Sequence, residues 1–244
     1  MTQLLGPTLY RLFIEGYTVK QWGRHPSELS SAFAPKRVEL RRDGYRRMFR
    51  DPWELFASDG VNGVIERILD PVAVTHNAPI GVAHLGELAV DHDAVVITAP
   101  LDDFVGVPGE LEWRGIEMRS TSYPTETLDG TRTPAYVVNR PSPRVPYTRT
   151  VETKHATGQQ VARTVVSYEH PGSAARHYPV ATLDARNERR NEELKVEIRE
   201  RSPIPVAFCG RLANYQYIDQ DQAIAQGLAC AAALPAVVEA QGSF

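Results

Sequence analysis

Apolar residues recur at helical spacing at Leu9, Leu12, Phe13 and Tyr17, and again, more regularly, at Val61, Val64, Ile65, Ile68 and Leu69. Residues 1–70 are therefore predicted to be mainly helical. Between the two runs, "GRHPSELSSAFAPKRVELRRDGYRR" is polar, basic and broken by Pro and Gly, which predicts a long, mobile surface loop of the kind that closes over sites. Short apolar runs follow at "VAVT" (72–75) and "AVVITAP" (94–100), and the second reads as a buried strand of parallel-sheet character leading to a ligand-facing loop.

From residue 110 the period changes to two. Leu111 and Trp113 alternate, the phase slips at Arg114-Gly115 and resumes at Ile116 and Met118, and the glycine at the slip predicts a β-bulge. "AYVVNR", "YTRTVETKH" and "VARTVVSYEH" continue as strands of an antiparallel sheet. "LDARNERRNEELKVEIRERS" then predicts a charge-laced helix, and "IPVAFCG" a buried strand feeding a helix that starts near Asp219.

Charge and composition narrow the functional classes. The net charge of −3, with both signs interspersed, lacks the basic footprint of a nucleic-acid binder, so any anionic ligand is left to a few placed arginines. "LLGPTLYRLFIEGY" near the start is too short and too interrupted for a leader or a spanning helix. Cys209 and Cys230 lie in apolar contexts that suit packing in a reducing compartment. Together these predict a cytoplasmic protein that binds neither membrane nor nucleic acid. No metal is expected: the seven histidines are scattered, and His84, Asp91 and His92 lack a recognised ligand spacing.

Several side chains carry two readings. Phe13 and Tyr17, four apart on a helix, either clamp a planar base or form an aromatic core pair, with Gln21 and Trp22 falling at the helix end. Arg149 shares a strand face with Tyr147 and Val151, where its planar fork either covers the sheet or aims at an anion. Tyr178 and Tyr217 serve as rim packing or as phenol donors to phosphate. Asp219, with Gln222 three residues on, reads as a helix N-cap, at a helix start whose N–H groups also suit a phosphate or an electron-rich flavin edge.

"GYTVKQWG", "VPYTR", "YPV" and "GRLANYQYIDQDQAI" occur in this order, and together they resemble the UDP-galactopyranose mutase family. The resemblance implies that Phe13 and Tyr17 contact uracil and that Gln21 and Trp22 form the neighbouring nucleotide-side pair. It also implies that Arg149 and the mobile-loop Arg37, in "PKRVEL" with one extra residue before it, hold the diphosphate. Tyr178 and Tyr217 become phosphate-binding phenols, Glu169 an active-site glutamate, and Arg211 and Asp219 part of the flavin lining. Met48 stands where the family commonly has another diphosphate tyrosine, and methionine cannot donate a hydrogen bond.

The resemblance further implies an α+β fold: a helical nucleotide-binding subdomain with its loop (1–70), an antiparallel β-sheet subdomain with the charged helix (106–202), and the remnant of an α/β FAD-binding domain (71–105 and 203–244) lacking its first βαβ unit. No G-x-G-x-x-G turn, which would seat the FAD pyrophosphate, occurs in these residues. The expected activity is pyranose/furanose interconversion of UDP-galactose, with FAD not bound by this chain alone and supplied through an FAD-binding partner chain. A flavin-independent nucleotide-sugar-binding protein or enzyme, and a non-catalytic remnant, are the alternatives. Val95, Ile97, Val206, Phe208, Ile224 and Leu228 would be left partly open, which predicts a homodimer or hetero-complex.

Overall fold

A computed structural model describes residues 2–30, 43–45, 50–172 and 175–241. The elements run, in chain order, α1 (Thr2–Leu9), a π-helical stretch (Tyr10–Glu15), α2 (Gly16–Trp22), a 3-10 turn (Pro26–Glu28), α3 (Gly60–Leu69), a second 3-10 turn (Val82–His84), α4 (Leu85–Leu88), β1 (Val95–Ile97), α5 (Leu101–Val105), β2 (Trp113–Pro124), β3 (Val137–Asn139), β4 (Arg149–Val151), α6 (Lys154–Thr157), β5 (Arg163–Gly172), β6 (Tyr178–Pro179), α7 (Arg186–Arg201), β7 (Val206–Phe208), α8 (Gly210–Ala213) and α9 (Gln220–Gln241). The fold is mixed α+β, and the chain divides into two compact units. One is built from Met1–Gln21, Ala34–Ala78 and Glu117–Pro171, the other from Trp22–Phe33, Pro79–Ile116 and Gly172–Phe244. The segments 1–70 and 106–202 of the sequence reading each contribute to both.

In the first unit β3, β4, β5 and β2 are neighbours in that order. Their antiparallel register sets Asn139 opposite Arg149, and Arg149 opposite Glu169. Beyond β4 the chain turns around Glu152, whose side chain is fully buried. Its carboxylate accepts from the main-chain N–H of Arg132 (2.7 Å) and Thr133 (2.6 Å) and from the hydroxyls of Thr133 (2.5 Å) and Thr164 (2.6 Å). Burial disfavours the charged form, but these four donors outweigh it and hold the pKa down at about 2. Helix α3 forms where the spacing predicts it, yet Val61, Ile65, Ile68 and Leu69 stay exposed. Val72 and Val74 of the apolar run that follows are exposed as well and lie outside any strand.

The second unit holds the larger apolar core. Strands β1 and β7 pair in parallel, Val95 to Val206 and Ile97 to Phe208, and Leu85, Leu101, Phe104, Leu194, Ile198 and Ala213 close around them. Each fully buried leucine or isoleucine there stabilises the fold by roughly 1.5–3 kcal/mol. Helix α7 is the charge-laced helix of the sequence, and it buries Asn187, Asn191, Leu194, Lys195 and Ile198. Its two asparagines donate to main-chain carbonyls, Asn187 to Val180 (2.8 Å) and Asn191 to Ala213 (3.2 Å), so they serve as core residues.

The start of β2 pairs with β6, Trp113 opposite Pro179 and Arg114 opposite Tyr178. Here Gly115 answers a steric demand: a Cβ at that position would lie 2.3 Å from the Ala175 carbonyl oxygen. The phase slip in the sequence therefore marks a close backbone approach. Of the six residues expected to be left partly open, Ile97 and Val206 are buried, Val95 and Phe208 half-buried, and Ile224 and Leu228 exposed.

Because the folded pKa of Glu152 lies below its ordinary value of 4.5, its stabilising contribution is complete above pH 4.5 and is lost as the pH falls toward 2. Glu152→Gln is expected to lower stability by on the order of 2–3 kcal/mol at neutral pH and to flatten the acid arm of the stability curve. Urea titrations of both proteins between pH 3 and 7 measure this, and parallel acid arms would show that the carboxylate charge contributes nothing.

Candidate functional site

The functional candidates sit in two settings, one in each unit. In the first, the helical segment from α1 through α2 carries Phe13, Tyr17 and Gln21. It passes through π geometry at Tyr10–Glu15, where each N–H reaches five residues back and residues four or five apart stay on one face. Phe13 is 57% exposed, so its ring is not in the core, while Tyr17 is half-buried and Gln21 buried.

The adjacent face of α2 is held against the hairpin loop between β3 and β4. A Cβ on Gly16 would stand 2.8 Å from the Pro141 carbonyl oxygen. Lys20 Nζ donates to the carbonyls of Tyr147 (2.8 Å), Val145 (3.0 Å) and Arg140. Burial lowers the Lys20 pKa, the expected effect of taking an ammonium out of water.

That loop ends on Arg149. Its Nε donates to Glu169 Oε2 at 2.5 Å across the register pair, with Glu169 buried and Arg149 about one-third exposed. A planar guanidinium fixed on one edge by a carboxylate is held in orientation. Tyr147 precedes the strand in a bent segment and does not continue the Arg149 face as the alternation predicts. Its ring packs edge-on against Tyr168 (5.0 Å) and His170 (5.8 Å), which flank Glu169 on the opposite face of β5. The Tyr168 phenol meets that of Tyr123 at 2.8 Å, and this bond, with burial, pushes its pKa up to about 12. Arg140 Nε, at the other end of the loop, is buried and meets no acceptor.

In the second unit Trp22, Tyr178 and Tyr217 form one aromatic cluster around Leu29 and Val180. The two tyrosine rings stack at 5.1 Å and 18°, and Trp22 stands tilted against them at 5.9 and 6.0 Å. The Arg211 guanidinium lies 5.4 Å from the Tyr178 ring centroid and 5.2 Å from that of Tyr217. It donates to the carbonyls of Ile218 (3.0 Å from Nε, and again from Nη2) and His177 (2.9 Å). Arg211 thus fixes the backbone beside each tyrosine, before Tyr178 and after Tyr217. Next to the cluster, Arg24 grips Glu112 with two bonds of 2.7 and 2.9 Å. Burial raises the Glu112 pKa, but the bonds to Arg24 and Arg186 outweigh it and the net shift is downward.

Asp219 stands before α9. Its N–H donates to Gln222 Oε1 (3.0 Å) and its carbonyl accepts from Ala223, as the capping pair predicts. At the carboxyl end of β7 a cavity of about 360 Å³ is lined by Phe208, Cys209, Asn214, Gln216, Gln226 and Cys230, among others. Gly210 faces open space there with φ +85°, and Gln226 ties Gln216 to the Gly210 N–H. An apolar cleft with a few fixed amides at the end of a parallel strand is a setting that flat heteroaromatic ligands use.

Phe13, Tyr17, Gln21, Arg149 and Glu169 therefore belong to the first unit, and Trp22, Tyr178, Tyr217, Arg211 and Asp219 to the second. Arg37 and Met48 lie outside the described residues. Lys20 and Tyr215 carry no ligand signal in the sequence. The Tyr215 hydroxyl accepts from Val180 N–H (3.0 Å) and donates to the Glu112 carbonyl, tying β6 to the start of β2. Among the described residues no group of three or more His, Cys, Asp or Glu could hold a metal ion, and no helix is long and apolar enough to cross a membrane.

Comparison with known proteins shows the family. The family model described as UDP-galactopyranose mutase matches residues 12–217. The chain is 29% identical over 232 residues to a probable UDP-galactopyranose mutase of Klebsiella pneumoniae, covering 93% of this chain and 57% of that protein. It is 25% identical over 239 residues to a dTDP-fucopyranose mutase of Escherichia coli, covering 94% of this chain and 61% of that protein. The chain thus spans little more than half the length of the curated relatives it matches. With the family match running from the aromatic helix through the stacked tyrosine pair, the chain belongs to the UDP-galactopyranose mutase family.

Proposed function

We propose that these residues form the nucleotide-sugar-holding part of a sugar mutase that interconverts pyranose and furanose rings. The observation that carries the reading is the aromatic cluster of the second unit. Trp22, Tyr178, Arg211 and Tyr217 come from three sequence motifs, the first separated from the other two by more than 150 residues, and converge on one stacked arrangement with fixed phenols. The Arg211 guanidinium stands over both rings and bonds the carbonyls of His177 and Ile218, which holds the two tyrosines side by side.

In this reading Phe13, Tyr17, Gln21 and Trp22 hold the base and ribose. Arg149, oriented by Glu169, neutralises a phosphate oxygen, with Arg37 adding a second cation. Tyr178 and Tyr217 donate to phosphate oxygens. Such preorganised donors favour departure of the diphosphate, because they stabilise its developing charge without having to reorganise. Bound FAD would supply the bond-making chemistry at the sugar's anomeric carbon. We assign its ring end to the segment that follows β7, which carries Arg211 and Asp219. Its pyrophosphate we assign to polypeptide beyond these 244 residues, whether further chain or a partner. The relatives' names pair this fold with both UDP-galactose and dTDP-fucose; we favour a UDP-sugar, and titration with both nucleotides decides between them.

Calorimetric titration of the protein with UDP and with dTDP is expected to show binding, and Arg149→Ala is expected to weaken it by roughly 1.5–3 kcal/mol, about 10- to 150-fold. An unchanged dissociation constant in that variant places the phosphate elsewhere. Supplying the FAD-binding polypeptide together with reduced FAD is expected to produce furanose product from the pyranose nucleotide sugar, followed by chromatography. Binding without conversion at saturating cofactor would instead identify a flavin-independent nucleotide-sugar binder. Ile224 (64% exposed) and Leu228 (70% exposed) lie one turn apart on α9, and we propose that the protein associates through them. Sedimentation equilibrium is expected to show a species heavier than the 27.1 kDa chain, and a clean monomer at micromolar concentration refutes self-association.

A further inference from the structure

Lys20 occupies an unusual position for a lysine on an otherwise ordinary helix. Its ammonium is part-buried and donates to three main-chain carbonyls of one loop, those of Arg140, Val145 and Tyr147. The loop sequence, "RPSPRVPY" over residues 140–147, explains why. Pro141, Pro143 and Pro146 contribute no N–H, so the loop is short of internal donors. Two of the three captured carbonyls, Arg140 and Val145, belong to residues directly before a proline. A lysine ammonium offers three N–H donors, one for each.

The same helix face carries Gly16, one turn earlier, where the Pro141 carbonyl comes so close that no side chain fits. Gly16 and Lys20 therefore form a docking face for the loop. Phe13, Tyr17 and Gln21 lie on the neighbouring face, rotated by about 100°, the angle between successive residues of a helix. The loop's far end is Thr148 and Arg149, the latter held by Glu169. All of these residues belong to one unit of the chain.

We propose that Lys20 is a positioning residue that sets the distance between the aromatic helix and Arg149, and so couples base recognition to phosphate recognition. It does not touch the ligand. Its ammonium fixes the carbonyls at both ends of the hairpin loop, which turns the loop into a rigid link between the helix and the β4 strand. This inference rests on the nucleotide-binding role proposed above.

The test compares UDP with uridine, which has the base and sugar but no diphosphate, using calorimetry on the complete chain. Wild-type protein is expected to prefer UDP. In Lys20→Met uridine affinity is expected to stay within about twofold, whereas the UDP preference falls about tenfold, since Arg149 is no longer held in register with the base site. In an Arg149→Ala background the Lys20→Met change is expected to have no further effect on that ratio. A purely structural lysine would lower the melting temperature and leave the UDP-to-uridine ratio intact. Wild-type binding with an unchanged ratio in folded Lys20→Met overturns the inference alone, and absence of UDP binding by the wild-type chain overturns the nucleotide-binding role and this inference with it. Should Lys20→Met fail to fold, Gly16→Ala perturbs the same contact from the other docking residue: a reduced UDP preference there supports the inference, and a wild-type ratio overturns it.

Discussion

Lys20, Glu152 and Arg211 each direct a formal charge at main-chain hydrogen-bonding groups. Lys20 takes three carbonyls, Glu152 takes two N–H groups together with two hydroxyls, and Arg211 takes the carbonyls of His177 and Ile218. The reason lies in the architecture. Strands β1, β3, β4, β6 and β7 are only two or three residues long, and long connections separate them, so much backbone has no ladder partner. Buried N–H and C=O groups left unmet would each cost on the order of 1–3 kcal/mol. Ionised side chains are strong substitutes, because charge-assisted hydrogen bonds are about twice as strong as neutral ones.

The functional candidates inherit their geometry from these anchors. Arg149 lies at the end of the loop that Lys20 grips, and its guanidinium is turned by Glu169. Tyr178 and Tyr217 keep their stacked arrangement because Arg211 bonds the carbonyl on the residue beside each of them. In both units a cation bound to backbone carbonyls stands beside the candidate side chains. Such support limits the rotamers and loop positions open to these segments, the general basis of preorganisation.

Much of this was legible in the residues themselves. Periodicity located α3, β2 and β5, since alternation and 3.6-residue spacing report which face an element must bury, while short apolar runs located β1 and β7 and a charge-laced stretch located α7. The capping pair at Asp219 and Gln222 was readable because it is local in sequence. The partnership of Arg149 with Glu169 was not, as strand register depends on the turn between and on long-range pairing. Tyr147 shows the same limit: a bend before β4 breaks the alternation, and its ring joins Tyr168 and His170 instead. Helix α7 was legible as a charge-laced helix, but its buried face was not, because Asn187 and Asn191 become core residues only once each finds a carbonyl.

By itself, then, the sequence determined the longer periodic elements, the mixed α+β class and the family, all of which rest on local spacing or on motifs kept in order. Tertiary structure decided the rest. It set Lys20 against a proline-rich loop more than 100 residues away, turned Gly115 from a candidate bulge into a close-contact site beside Ala175, and gathered Trp22, Tyr178, Arg211 and Tyr217 into one cluster. Each of these depends on which distant groups the fold brings together. That is a property of the folded chain and of no short stretch within it.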